Sequence, residues 1–231
     1  MTILAIDTTG PSAGVALLRN GRVVSSFRRS AGLTHSETLM PMLETVLSGE
    51  GLSPKDIDRI ACAVGPGSFT GVRIGVCAAK GIAEATGCEV CAVDALEALA
   101  YAHKGFHGVI CPVLDARRGQ VYGAAFRFES GERPVRILHD QAIQLTDFLT
   151  LLPEGETRLF TGDAVSARET EILSASGTGS VTASANSRDI DPAAVAALGA
   201  MESPMDGIAL EPLYLRASQA ERERLEKQKN G

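Results

Sequence analysis

The stretch Asp58-Arg59-Ile60-Ala61-Cys62-Ala63-Val64-Gly65-Pro66-Gly67-Ser68-Phe69-Thr70-Gly71-Val72-Arg73 runs from an apolar strand through a glycine-rich turn into a helix. Small and β-branched residues up to Val64 suit a strand buried on both faces. Gly65, Gly67 and Gly71 allow positive φ and close approach of another backbone or an anion. The helix that starts at about Val72 offers unpaired N–H groups and the positive end of its dipole. No lysine follows the last glycine, so this is not the GxxxxGK[ST] phosphate loop. It also departs from GxGxxG spacing with a coenzyme acid ~20 residues on. Two readings stand: a phosphate or interface role, and a plain tight turn. The helix, read to Ala85, carries Gly75, Ala78, Ala79, Gly81 and Ala83. Each interior glycine costs roughly 1 kcal/mol against alanine, a cost that close packing against a sheet, a helix or a partner chain would offset.

Working outward, Ile3–Asp7 reads as a buried strand. Gly14–Arg19 and Val23–Arg28 form a hairpin around Asn20-Gly21. Leu39, Met40, Leu43, Val46 and Leu47 recur at helical spacing and Gly49 and Gly51 end that helix. Glu89–Val93 is a strand and Ala95–His103 a helix, giving the order β-β-β-α-β-α-β-α. A similar series opens after Gly108, with strands at Val109–Leu114, Gln120–Phe128 and Pro134–His139. It continues with helix Leu145–Leu152, strand Arg158–Phe160, helix Ala164–Leu173, a Ser/Gly-rich loop around one short strand, and helix Ala193–Met201 with Pro192 at its start. Glu211–Arg216 reads as a last extended segment. The pattern predicts two α/β lobes, residues 1–104 and 105–216, with a ligand cleft between them and a charged, frayed helical tail over 217–231.

The 231 residues carry 22 basic and 28 acidic side chains, a net charge of −6, with only 4% aromatics. A chain that binds nucleic acid alone needs a dense basic surface, and a base-stacking platform needs aromatics; this composition argues against both. The strand-like start without a basic n-region argues against a signal peptide, and no apolar run approaches the ~20 residues of a membrane span. Five cysteines, mostly in apolar runs, read as reduced core thiols of a cytoplasmic protein. Cys88 and Cys91 form a lone CxxC flanking a strand, without the second ligand pair a zinc site needs.

Asp7-Thr8-Thr9 closes the first strand, where a carboxylate and two hydroxyls could orient phosphate or metal or else satisfy their own turn. Ser68 lacks a GxSxG elbow. His35 reads as an exposed or interface residue rather than a general base, because no partner is specified. His103, His107 and His139 lack metal-ligand spacing, and Arg117 and Arg118 read as solvated turn residues.

Ile6-Asp7-Thr8-Thr9, Thr34-His35-Ser36-Glu37 followed by Leu39-Met40-Pro41, and Gly65 to Gly75 together resemble the TsaB (YeaZ) family. Asp115-Ala116-Arg117-Arg118-Gly119-Gln120-Val121-Tyr122 and Pro212-Leu213-Tyr214-Leu215-Arg216 agree with it. The resemblance implies an actin/Hsp70-like (ASKHA) fold of two lobes, each a mixed sheet with flanking helices. It also implies partnership with TsaD, the paralogous subunit that transfers threonylcarbamoyl to the adenosine beside the anticodon of tRNAs reading codons that begin with adenine, and with the ATPase TsaE. TsaD carries a metal-binding histidine pair; Ala95 and Leu99 stand at those positions here, which disfavours a metallopeptidase. The implied role is a non-catalytic scaffold and activator, not an enzyme on its own. No metal and no required cofactor are expected. Asp7, Thr8, Thr9, Gly65, Gly67, Ser68 and Gly71 would form a vestigial phosphate site with weak affinity for ATP or ADP. The expected partner surface joins His35, Leu39, Met42, Leu43 and Val46 to Thr70, Arg73, Gly75, Ala78, Ala79 and Ile82. That surface would also serve a homodimer, and tRNA would be reached through the complex. The alternative is an independent ATP-dependent phosphotransferase or hydrolase on the same fold.

Overall fold

The computed structural model describes residues 1–30 and 34–216; the tail expected to be helical lies outside them. The first lobe contains β1 (Thr2–Asp7), β2 (Ala13–Arg19), β3 (Arg22–Arg29), α1 (His35–Gly49), β4 (Arg59–Gly65), α2 (Phe69–Thr86), β5 (Glu89–Asp94) and α3 (Ala95–Tyr101). The second contains β6 (Val109–Asp115), β7 (Gln120–Arg127), β8 (Val135–Gln144), α4 (Leu145–Thr150), β9 (Arg158–Thr161), α5 (Asp163–Ala175), β10 (Ser180–Thr182) and α6 (Pro192–Met201). The sheets run β3-β2-β1-β4-β5 and β8-β7-β6-β9-β10. In each, the first three strands form an antiparallel meander and the next two join in parallel. The two lobes therefore share one topology.

Local chemistry explains the punctuation. Asn20 and Gly21 take positive φ in the β2–β3 turn, the geometry a two-residue hairpin prefers. At the start of α1, Glu37 reaches back to accept from the Thr34 N–H at 3.0 Å, half of a capping box. Ser68 Oγ accepts from the Gly71 N–H at 3.2 Å, so α2 begins at Phe69, one turn earlier than Val72. It ends at Gly87, which is left-handed with φ 76°. β8 continues beyond His139 to Gln144 because Gln144 still pairs with Gln120 across irregular register. Glu211–Arg216 does not form a strand, although the Leu213 N–H donates to Val64 O at 2.7 Å.

The helices sort into layers. α1 and α2 cover the outer face of the first sheet over Leu4, Ile6, Val15 and Leu17, and α4 and α5 cover the outer face of the second over Val113 and Phe160. The inner layer crosses between lobes: α3 packs on β6 and β7 of the second lobe as well as on β4 and β5 of its own, whereas α6 packs on β1, β2 and β4 of the first. Residues 190–213 thus pack on the first lobe, across the division at residue 104 that the sequence pattern suggests. Arg59 fixes this crossing, donating to Gly199 O at 3.2 Å and Glu202 O at 3.0 Å, where the helix dipole is negative. Its counterpart at the head of β9, Arg158, donates to Ser176 O at 3.1 Å beyond α5.

A Cβ at Gly199 would lie 2.3 Å from Ala61 Cβ, so α6 lies directly on the sheet backbone. Gly199→Ala should therefore cost ~2–3 kcal/mol by forcing the helix away. Gly81→Ala, at an exposed helical position with nothing within 4 Å of the new atom, should add ~0.5–1 kcal/mol. Urea unfolding of both variants measures the contrast, and equal midpoints would contradict this packing.

Candidate functional site

The turn after β1 is seated on the glycines of the β4–α2 segment. Thr8 Oγ1 donates to Gly71 O at 2.7 Å, and the Ser68 N–H donates to Thr9 O at 2.7 Å. A Cβ at Gly67 would lie 2.4 Å from Thr9 O, one at Gly71 2.0 Å from Thr8 O, and one at Gly75 2.5 Å from Thr8 Oγ1. Gly65, at φ 116°, would place its Cβ 2.7 Å from Leu213 O. These glycines accommodate the chain's own Thr8, Thr9 and Leu213, a packing role distinct from the phosphate or partner contacts expected of them.

Asp7 is 1% exposed, and its Oδ1 accepts from the Thr9 N–H at 2.9 Å and from Thr9 Oγ1 at 2.7 Å. Burial pushes its carboxyl up from 3.8 to about 6, against the two Thr9 hydrogen bonds. Neither Asp7 nor Thr8 lines the interlobe cleft, a cavity of about 700 Å³, and neither do Gly65 and Gly71. Of the seven residues expected at a phosphate site, only Thr9, Gly67 and Ser68 line it.

Opposite them, the β6–β7 turn carries Arg117 and Arg118 at positive φ. Arg168 holds this turn, donating to Gly119 O at 2.7 Å. Asp163 accepts from the Asp115 N–H at 2.8 Å, and burial pushes its carboxyl upward. The segment after Leu213 straps the two walls together. Tyr214 stacks on Phe69 with ring centroids 4.9 Å apart and accepts from Arg73 Nε at 2.8 Å, while Arg216 donates to Ala116 O at 3.1 Å. Sequence reasoning missed Arg168, which sits in no motif, and gave the Pro212–Arg216 motif no bracing role, because its contacts are made only across the cleft.

Burial also redraws the expected partner surface. Leu39, Met42, Leu43, Val46, Gly75 and Ala79 are buried in the first lobe's core, because the apolar stripes of α1 and α2 face the sheet. Thr70, Arg73 and Cys77 are exposed, and Ala78 and Ile82 are half-buried. Between the helices runs an apolar groove of about 420 Å³, lined by Met40, Pro41, Leu43, Leu47, Leu52 and Ile82 among others. His35 is half-buried rather than exposed, with Nε2 2.9 Å from Gly10 O, so it ties α1 to the β1–β2 turn.

Ala95 and Leu99 are fully buried in the layer between the sheets. Among the described residues no three His, Cys, Asp or Glu side chains are arranged to hold a metal ion. Cys91 is buried in β5 and Cys88 half-buried just before it; burial pushes the Cys91 thiol up to about 12. Among the described residues, no helix is long and apolar enough to cross a membrane.

Two lobes of one topology, inner helices that cross between them and a cleft at the strand ends define an ASKHA-type protein. YeaZ from Pseudomonas aeruginosa superposes with a TM-score of 0.79 at 25% identity, over 93% of this chain and 99% of that one. The sequence pattern of the family described as TsaD, tRNA N6-adenosine threonylcarbamoyltransferase, matches residues 29–160. The tRNA N6-adenosine threonylcarbamoyltransferase of Thermus thermophilus is 31% identical over 57% of this chain and 50% of its own length. The tRNA threonylcarbamoyladenosine biosynthesis protein TsaB of Bacillus subtilis is 37% identical over 99% of this chain and 100% of its own length. The chain belongs to the TsaB family.

The buried Asp7 gives a pH test. Its folded-state pKa lies above the unfolded value, so its contribution is complete below about pH 4 and is lost as pH rises through about 6. Asp7→Asn keeps the shape and cannot ionise. Its stability relative to the native chain should rise by ~3 kcal/mol between about pH 4 and pH 8. Urea midpoints across that range measure this, and a difference that stays flat with pH would refute the sealed carboxyl.

Proposed function

We propose that this chain is a non-catalytic subunit that pairs with TsaD, with TsaE joining the pair, during transfer of threonylcarbamoyl to the adenosine beside the anticodon. The observation that carries this reading is a contrast within the first lobe: the chemistry-bearing Asp7 is turned inward, while the outer helices present an apolar groove. A carboxylate withheld from the cleft cannot orient a metal-bound nucleotide there. An apolar groove lined by α1, the segment after it and Ile82 of α2 suits a helix of a partner built on the same fold. Met40, 54% exposed at its lip, is the apolar anchor. The same face would let the chain pair with itself in isolation. The subunit would work in the cytoplasm and hold no cofactor or metal of its own, with ATP or ADP entering the cleft only weakly.

Co-purification with TsaD from the same source, followed by reconstituted modification of tRNA, tests the reading. Met40→Glu and Glu44→Arg, both exposed and lining the groove, should abolish the complex and reduce modification at least ~10-fold, as disruption at an interface anchor does. Leu151→Glu, an exposed position on the second lobe, should leave both intact. Unimpaired pairing in the first two variants would overturn the proposed face.

The size of the cleft and its lining by Ser68, Arg168 and Arg216 favour a second reading, an ATP-dependent phosphotransferase or hydrolase. ATP turnover by the isolated chain, lost in Ser68→Ala, would establish it in place of the first.

A further inference from the structure

The β2–β3 hairpin concentrates positive charge on a chain that is acidic overall. Residues 19–29 hold Arg19, Arg22, Arg28 and Arg29, four of the 22 basic residues, and no acidic residue occurs between Asp7 and Glu37. Among the described residues, none of these four arginines forms an ion pair, although Arg19 weakly favours the ionised form of Asp56. Arg28 is engaged by the Asp189 and Asn186 carbonyls at 3.3 and 2.9 Å, which leaves its charge uncompensated.

Register places the others together. Arg29 pairs with Ala13, Phe27 with Val15 and Arg22 with Arg19. Ala13, Val15 and Leu17 point into the core beneath α1, so Arg29, Phe27, Arg22 and Arg19 share that side of the sheet by strand alternation. Arg22 and Arg19 are direct cross-strand partners, and like charges so placed destabilise a hairpin. Phe27 between them is 41% exposed. From Arg22 to Arg29 the stripe is roughly 23 Å long, enough to lie along several phosphates of one strand at ~3.4 Å of rise each. β3 is also the sheet's edge. Charge on an edge strand commonly serves only to prevent aggregation, but that role needs neither an opposed arginine pair nor an exposed aromatic ring beside it.

We infer that this hairpin is a contact surface for the phosphate backbone of RNA, with Arg19, Arg22 and Arg29 facing phosphates and Phe27 presenting a ring to an unstacked base. The choice of RNA over an acidic protein rests on the proposed function, which places the chain beside tRNA during modification. Net charge does not oppose it, because a local basic stripe acts within a Debye length of ~10 Å at moderate salt.

The test measures binding of unmodified tRNA, by fluorescence anisotropy over a salt series, to the chain alone and to the chain with TsaD. The variants are Arg22→Glu/Arg29→Glu and the charge-keeping Arg22→Lys/Arg29→Lys. The Glu variant should stay folded, with a thermal midpoint no lower than native, since Arg22→Glu replaces a repulsive cross-strand pair. Its tRNA affinity should fall ~10-fold or more at low salt, and the slope of log affinity against log salt should shrink by ~2. The Lys variant should retain most of both. Native affinity and slope in the Glu variant would overturn the inference and leave the arginines as edge protection. Loss of binding to a polyglutamate peptide with tRNA binding unchanged would overturn it in favour of an acidic protein. Failure of the native chain to co-purify with TsaD would instead count against the proposed pairing, and the chain-alone measurement would still decide the hairpin.

Discussion

The backbone of Thr8 and Thr9 rests where side chains would otherwise stand on Gly67 and Gly71, with the Thr8 hydroxyl over Gly75, and the geometry of the first lobe follows from that contact. It brings the end of β1 against the first turns of α2 and fixes the angle at which α2 leaves the sheet. It also holds the Ser68 N–H on Thr9 O and Thr8 Oγ1 on Gly71 O. The carboxyl of Asp7 is sealed as a by-product. A turn that could have opened onto the cleft is used to fasten strand to helix.

The second lobe repeats the plan with other materials. Arg59 and Arg158 lead equivalent strands, and both are buried while donating to carbonyls at the ends of helices. Ionic and dipolar contacts of this kind cost much to break once buried. They hold in register a fold in which α6 lies on the first lobe's sheet and α3 lies between the two sheets. The cleft is therefore bounded by lobes that are joined by exchange and strapped by Tyr214 and Arg216.

Much of this was legible. The order of elements followed from apolar runs, the Asn20-Gly21 turn and the glycine-rich β4–α2 segment, all of which act locally. The site was less legible for a physical reason. Helical periodicity in Leu39, Leu43, Val46 and Leu47 marks the face that meets the chain's own sheet, so it points away from a partner surface. Of the outward residues, Thr70 and Arg73 belong to the expected surface, whereas Met40 falls within the apolar run of α1 and Cys77 follows no sequence pattern. The glycines announced close approach correctly, but only the fold reveals that the approaching group is Thr8–Thr9. The exchange of α6 left one trace: its sequence Pro192-Ala193-Ala194-Val195-Ala196-Ala197-Leu198-Gly199 is apolar on every side, as a helix buried between two layers must be.

That exchange has a consequence for how the protein is made. Synthesis proceeds from the N-terminus, so the first sheet emerges early, yet the helix that covers its inner face is made only after every strand of the second sheet. Until α6 arrives, Ile3, Ala5, Ala16 and Ala61 face solvent or the chaperones that guard such surfaces. Neither lobe can be completed as a separate unit during translation. The long-range contacts that close the first lobe wait until α6, Pro192–Met201, has been made, which makes late, cooperative folding a property of its connectivity.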